Sequence, residues 1–141
     1  MARDISTVDD EPPYFAFSAT LRITGRIDNF DAISRALDLA PTHTHRRGDK
    51  KGPRSRGYTE DMWSYRAPVP EECPLDDHIQ ALWVKLKPHQ SYILELKQIL
   101  KVDVFCGYRT SHWGAGFEVA PESLAMFLAL EIPFGVSVIV A

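Results

Sequence analysis

The sequence FAFSATLRITG at residues 15–25 decides the fold, because its apolar and polar side chains alternate. Phe, Ala, Leu and Ile occupy the odd-numbered positions, whereas Ser18, Thr20, Arg22 and Thr24 occupy even-numbered ones. A period of two places alternate side chains on opposite faces of a strand. The stretch therefore predicts a β-strand with one buried face and one polar face, ending at Gly25.

A helix is predicted directly after this strand. Asp28 and Asn29 are both suitable N-cap residues, and Asp31 places a carboxylate in the first turn, where the helix dipole favours it. The residues that follow form an apolar stripe at helical spacing: Phe30, Ile33, Leu37 and Ala40. Pro41 disfavours helical geometry at the residue before it, so the helix is expected to end there.

The C-terminal part of the chain shows the same order of strand, helix and proline in part. Residues 116–119 are expected to form a short strand, and Pro121 and Glu122 suit the start of a helix that continues to residue 130. Pro133 ends this helix, and residues 134–140 are rich in β-branched side chains typical of an interior strand. We interpret the two segments as β/α units on one shared sheet.

The intervening sequence adds strands and helices to the same sheet. A strand is predicted at 62–69, helices at 75–86 and 89–100, and a strand at 102–109, which forms a hairpin with 116–119. The predicted order is β-α-β-α-α-β-β-α-β. The fold class is α+β, a ferredoxin-like-related layer of about five mostly antiparallel strands with helices packed on one face.

Length and composition favour one domain over residues 14–141, preceded by a flexible N-terminal tail at residues 1–13. The chain has 141 residues, of which 45% are hydrophobic. No apolar run reaches the roughly 18 residues of a membrane span. The polar, acidic N-terminus lacks the apolar centre of a signal peptide. The sequence thus predicts a cytoplasmic protein without a membrane partner.

A basic loop at about residues 42–60 is the most distinctive feature. The whole chain has a net charge of −3, yet the segment from His43 to Gly57 holds six basic residues against the single Asp49. Such residues bind anions or acidic protein surfaces through charge-assisted hydrogen bonds. Alternatively, the loop is a solvated connector. The tentative binding residues are Arg46, Arg47, Lys50, Lys51, Arg54 and Arg56.

No set of residues predicts a metal site or a cofactor. His43 and His45 would share a face of a strand, but no neighbouring side chain completes a zinc site. Cys73 and Cys106 are expected to be free thiols, with a disulfide or a metal pair as the alternative. The sequence therefore predicts neither a cofactor nor a metal.

No catalytic residues are predicted either. Cys106 and His112 could form a thiol and base pair. However, Cys106 should share a strand face with Val102 and Val104, which predicts a small buried apolar side chain. Asp76 and Asp77 begin a helix, where the dipole alone accounts for their charge.

Aromatic and basic side chains also gather around the predicted hairpin. Trp, Tyr and Arg commonly anchor protein interfaces, and the turn near Trp113 has no core periodicity. The tentative interface residues are Tyr108, Arg109, His112 and Trp113.

The chain resembles a family of bacterial proteins, domain-of-unknown-function family 4279. The resemblance is carried by residues 17–25, by Ile33 with the LDLAPT sequence at 37–42, by Gly48-Asp49 and by Trp63. The LDDH sequence at 75–78 and the C-terminal strand and helix are also similar, so the resemblance spans about residues 15–140. It implies no activity and no catalytic residues.

These features together predict a non-enzymatic protein-interaction module that binds a protein partner or a second copy of itself. The alternative is a small-molecule or anion-binding domain that uses the loop at 43–57, or an enzyme whose site assembles only in three dimensions. Nucleic acid is a disfavoured partner, since the rest of the chain is acidic and has no basic helix.

Overall fold

A computed structural model describes residues 14–141, which form one five-stranded sheet and several helices. The strands are β1 (Phe15–Gly25), β2 (His43–His45), β3 (Asp61–Arg66), β4 (Lys101–Thr110) and β5 (Val136–Val140). The α-helices are α1 (Phe30–Leu37), α2 (Leu75–Leu86), α3 (Gln90–Leu96) and α4 (Ala125–Leu130), and short 3-10 helices occupy Lys87–His89 and Pro121–Leu124.

The strands lie in the order β2-β3-β1-β4-β5, with β1 at the centre. β1 pairs antiparallel with β3 and β4, and β2 pairs antiparallel with β3. Only β5 runs parallel to its neighbour, β4. The predicted α+β class, with five mostly antiparallel strands, is confirmed. A specifically ferredoxin-like relation stays a prediction.

The alternation at residues 15–24 sets the two faces of the sheet, as predicted. Phe17, Ala19, Leu21 and Ile23 are buried. They pack in one core with apolar residues of β3, of β4 and of all four α-helices. The opposite face, here called the open face, carries half-exposed and exposed side chains, among them Ser18, Thr20, Arg22, Arg66 and Arg109. One face thus forms the core, and the other is a polar surface.

Three details of the predicted topology are wrong. Residues 116–119 form no strand, so the hairpin with β4 does not exist. β4 already pairs with β1 on one side and β5 on the other, which leaves no free edge for a hairpin partner. Instead, the fifth strand is β2, within the predicted basic loop. The C-terminal strand is β5, an edge strand rather than an interior one.

The predicted flexible tail, residues 1–13, lies outside the described residues. Within residues 14–141, no helix is both long and apolar enough to cross a membrane.

Candidate functional site

The end of β4 presents functional groups on both faces of the sheet. Tyr108 lies on the core face, where it is 6% exposed and stacks on Phe17 with ring centroids 4.6 Å apart. Arg109 is exposed and lies on the open face beside Ala16. Successive side chains of a strand point in opposite directions, so the structure divides the predicted interface residues between two surfaces.

The remaining two interface residues follow β4 in a turn. The backbone N–H of Ser111 donates to the Tyr14 carbonyl at 3.0 Å, and the Tyr14 N–H donates to Ser111 Oγ at 2.9 Å. These bonds fix the start of the turn beside β1. Beyond them His112 is exposed, and Trp113 is 86% exposed. Trp113 is therefore a surface residue rather than part of the core.

An aromatic cluster lies beneath this turn. The ring of Phe117 packs edge-on against Phe17 and Tyr108, with centroid distances of 5.7 and 5.3 Å. A hollow of about 330 Å³ is lined by Phe15, Tyr108, Trp113 and neighbouring residues. Phe15 is 40% exposed and Phe117 is 36% exposed, so the cluster is open to solvent on one side.

The adjacent edge of the sheet is apolar. β5 pairs with β4 on one side, and among residues 14–141 no strand pairs with its other side. Val138, Ile139 and Val140 are 54%, 48% and 53% exposed. Thr110 connects this edge to the turn after β4 that carries His112 and Trp113, here called the aromatic turn. It pairs with Val140 and lines the same hollow as Trp113. We call the side of β5 (Val136–Val140) that faces away from β4 the β5 edge.

A second hollow, of about 210 Å³, lies at the open face and is here called the arginine hollow. Arg66 of β3 and Arg109 of β4 line it from opposite sides of the central strand. Small residues line it as well, namely Ser18, Gly107 and Ser137. The hollow does not follow from the sequence, although the polar positions of β1 are the signal that marks the open face.

Another arginine of the open face has a partner within the fold. Arg22 Nε and Nη2 donate to the two carboxylate oxygens of Asp103 at 2.8 and 2.9 Å. The hydrogen bond to Asp103 raises the pKa of Arg22. The guanidinium also lies 5.0 Å from the ring centroid of Phe105. Arg22 is thus engaged in a structural ion pair.

Two of the six predicted binding residues in the basic loop are held by Asp61, which is 1% exposed. The carboxylate accepts hydrogen bonds from the N–H groups of Ile27 and Arg47 at 2.9 and 2.8 Å. These bonds lower the pKa of Asp61. The guanidinium groups of Arg46 and Arg47 each lie 3.5 Å from the same carboxylate. Both residues therefore have a structural role.

Arg46 is held further by a second set of contacts. Its guanidinium donates to the carbonyl of Ile27 and lies 4.0 Å from the ring centroid of Phe30. The other four loop residues, Lys50, Lys51, Arg54 and Arg56, are exposed. The six basic residues thus form two groups rather than one site.

The two histidines of β2 form a small cluster with Tyr58. His43 Nε2 and His45 Nδ1 lie 3.0 Å apart, and the His45 ring stacks on Tyr58 with centroids 3.4 Å apart. Burial and the charge of His43 lower the pKa of His45. Among residues 14–141, no group of three or more His, Cys, Asp or Glu side chains could hold a metal ion.

The cysteines form neither a disulfide nor a reactive pair. Both Cys73 and Cys106 are free thiols. Cys106 is 1% exposed on the core face, as predicted, and burial raises its pKa to about 12. A thiol with that pKa is a poor nucleophile at neutral pH. His112 lies in the exposed turn, so the two residues do not form a catalytic pair.

Comparison with curated proteins and with solved structures finds no match. A family model matches residues 15–141, nearly the whole chain, and confirms the resemblance seen in the sequence. The chain belongs to the family described as Domain of unknown function (DUF4279).

Proposed function

We propose that this protein is an interaction module that pairs with a second copy of itself along the β5 edge. The observation that carries the proposal is the exposure of Val138, Ile139 and Val140, about half of each side chain, on a strand with one open side. The function is assembly rather than catalysis.

The backbone of β5 is suited to strand pairing. An edge strand presents unpaired N–H and C=O groups, which form a template for another strand. Proteins usually protect such edges with charged side chains, proline or a bulge. The sequence VSVIV at 136–140 has no charged residue and no proline. This edge therefore favours association.

A second copy is the partner that best complements this edge. In an antiparallel pair centred on Val138, Val136 faces Val140 of the other copy, and Ser137 faces Ile139. Each valine of β5 on the core face then contacts a valine of the other copy, and no like charges meet. A two-fold interface requires a self-complementary surface of this kind. The product is a continuous ten-stranded sheet.

The position of the aromatic turn supports the same interface. The turn that carries Trp113 lies near the end of β5, because Thr110 both pairs with Val140 and lines the same hollow as Trp113. The basic loop follows β2, which lies at the other edge of the sheet. The loop and the aromatic turn, predicted to act together, therefore lie at opposite edges.

The magnitudes indicate a dimer of moderate affinity. Covering the exposed half of a Val or Ile side chain contributes about 1 kcal/mol. Each interstrand hydrogen bond adds about 1 kcal/mol. Association costs about 4–15 kcal/mol in lost translational and rotational freedom. At the low end of this cost, the gains correspond to a dissociation constant in the micromolar range, and they do not reach the nanomolar range.

Sedimentation velocity over micromolar to millimolar concentrations tests the proposal. The wild type is expected to change from monomer to dimer. In Val138→Lys, two lysines would face each other at the two-fold axis, so this variant should remain a monomer. An equimolar mixture of V138K and V138E should form dimers again, because opposite charges then meet across the axis.

The matched control is Val84→Lys, since Val84 is 72% exposed on α2, away from β5. V84K is expected to dimerise like the wild type. A wild type that stays monomeric overturns the proposal. Dimerisation by V138K alone, as strong as that of the wild type, shows that another surface forms the interface.

A further inference from the structure

We propose that the arginine hollow binds a small molecule through an oxyanion group, phosphate or carboxylate, held between Arg66 and Arg109. This site requires no second copy, although two residues of β5, Ser137 and Ile139, also line it. It also differs from the basic loop, which the sequence indicated as the anion-binding segment.

The strand register directs both arginines to the same face. Arg66 pairs with Thr20 on one side of β1, and Arg109 pairs with Ala16 on the other side. Thr20 and Ala16 differ by an even number of positions, so the two arginines lie on the same face of the sheet. Both line a single hollow of about 210 Å³. This size fits a small head group rather than an extended polymer.

The floor of the hollow is made of small residues in one row across the sheet. Ser18 pairs with Gly107, and Gly107 pairs with Ser137. A Cβ atom at position 107 would lie 2.8 Å from Ser18 Oγ, so a side chain here would displace that hydroxyl and raise the floor. The two serine hydroxyls can donate hydrogen bonds to an oxyanion.

The charges of the hollow favour an anion. Within the described part of the chain, the arginines in ion pairs are Arg22, Arg46 and Arg47, and neither Arg66 nor Arg109 is among them. Two guanidinium groups line the hollow against one acidic residue, Glu71. Guanidinium groups bind phosphate and carboxylate through paired hydrogen bonds that lysine cannot reproduce. The geometry therefore provides exposed guanidinium donors above a floor of hydroxyl groups.

Two-dimensional NMR of the full chain tests the proposal directly. The protein is titrated with inorganic phosphate and, separately, with acetate, and sodium chloride keeps the ionic strength constant. Saturable shifts of the Ser18 and Gly107 amide signals are expected with at least one anion. The stronger of the two responses identifies the oxyanion as phosphate or carboxylate.

Variants assign the binding to the two arginines. Arg66 and Arg109 are exposed, so Arg66→Gln and Arg109→Gln should fold normally. The double variant is expected to weaken binding by about tenfold or more, since charge-assisted hydrogen bonds are stronger than those between neutral groups. Each single variant should weaken it to a smaller extent.

The matched control is R54Q/R56Q, which removes the same charge from the exposed part of the basic loop. Its affinity should change by at most about twofold, because exposed charges act weakly through solvent. Two results overturn the proposal. One is the absence of saturable shifts with both anions, and the other is a loss of binding in R54Q/R56Q equal to that in R66Q/R109Q.

Discussion

A single carboxylate, Asp61, determines what the basic loop can do. It is buried, and it binds the backbone at Ile27 and Arg47 as well as the side chains of Arg46 and Arg47. Buried charges require partners of this kind. Arg46 and Arg47 therefore help to hold the loop against the N-terminal side of α1, while their side chains stay 45% and 43% exposed. The other basic residues of the loop follow in the sequence and are exposed, namely Lys50, Lys51, Arg54 and Arg56.

Residue His78 makes the stability of the fold sensitive to acid. It is 0% exposed, its Nε2 lies 3.2 Å from the Cys73 carbonyl, and its Nδ1 has no hydrogen-bond partner. Burial lowers the pKa of His78 below its usual 6.5, and the charge of Arg66 lowers it further. The unfolded chain therefore binds more protons as the pH falls below 6.5, and the free energy of unfolding decreases.

We expect His78→Gln to lose part of this acid sensitivity. Gln can still donate to the Cys73 carbonyl, but it takes up no proton. Urea unfolding between about pH 7.5 and pH 5 measures the effect. The free energy of unfolding should decrease with falling pH in the wild type and decrease less in H78Q. Identical pH dependence in the two proteins would contradict the role assigned to His78.

At the scale of elements, α1 depends on its N-cap. The sequence offered both Asp28 and Asn29, and the structure shows that Asn29 Oδ1 accepts the N–H groups of Asp31 and Ala32 at 2.9 and 3.3 Å. Asn29→Ala should lower the free energy of unfolding by about 1 kcal/mol, whereas Asn29→Asp should have little effect. Asp28→Ala is the control, with a change of at most about 0.5 kcal/mol expected at this exposed position. A larger loss in D28A than in N29A would be evidence against this cap.

Local sequence patterns were sufficient to predict several helices and strands, but not to predict which strands pair with each other. The alternation in β1 and the apolar stripes of α1 and α2 are each encoded within a few residues, and these elements form. The predicted end of α1 at Pro41 is wrong, because the helix ends at Leu37, where Asp38 adopts a left-handed conformation. Ala40 is exposed outside the helix. By contrast, β2 has three residues and no apolar alternation, so only its pairing with β3 defines it. The edge position of β5 likewise depends on which strands occupy both sides of β4.

The candidate sites were harder to predict for the same reason. Arg66, Gly107 and Arg109 come from two strands, and β1 brings them together through pairing across the sheet. Asp61 contacts Ile27 across 34 positions of sequence. In contrast, the exposure of Trp113 and the burial of Cys106 follow from local pattern, and Cys106 was predicted correctly. Sequence alone thus identifies residue types but not the groups that they form.

For the whole molecule, the two proposed sites use different parts of the sheet. Its open face carries the arginine hollow, whereas its β5 edge and aromatic turn are apolar. The opposite edge is β2, a short strand followed by a charged loop, which protects that edge against further pairing. This asymmetry favours a closed dimer over an open polymer, because only one edge of each copy is suited to pairing.

Thermal unfolding at several protein concentrations tests this picture of the whole molecule. A ligand or partner that binds only the folded state stabilises it in proportion to the logarithm of its concentration. Above the dissociation constant of the dimer, a tenfold increase in protein concentration should raise the apparent stability by about 1.4 kcal/mol per mole of dimer, which is about 0.7 kcal/mol per chain, and the Tm by a few degrees. The Tm of V138K should be independent of concentration, yet phosphate or acetate should raise it as in the wild type. A Tm that is independent of concentration in the wild type contradicts the dimer, and an effect of the anion that disappears in V138K contradicts the separation of the two sites.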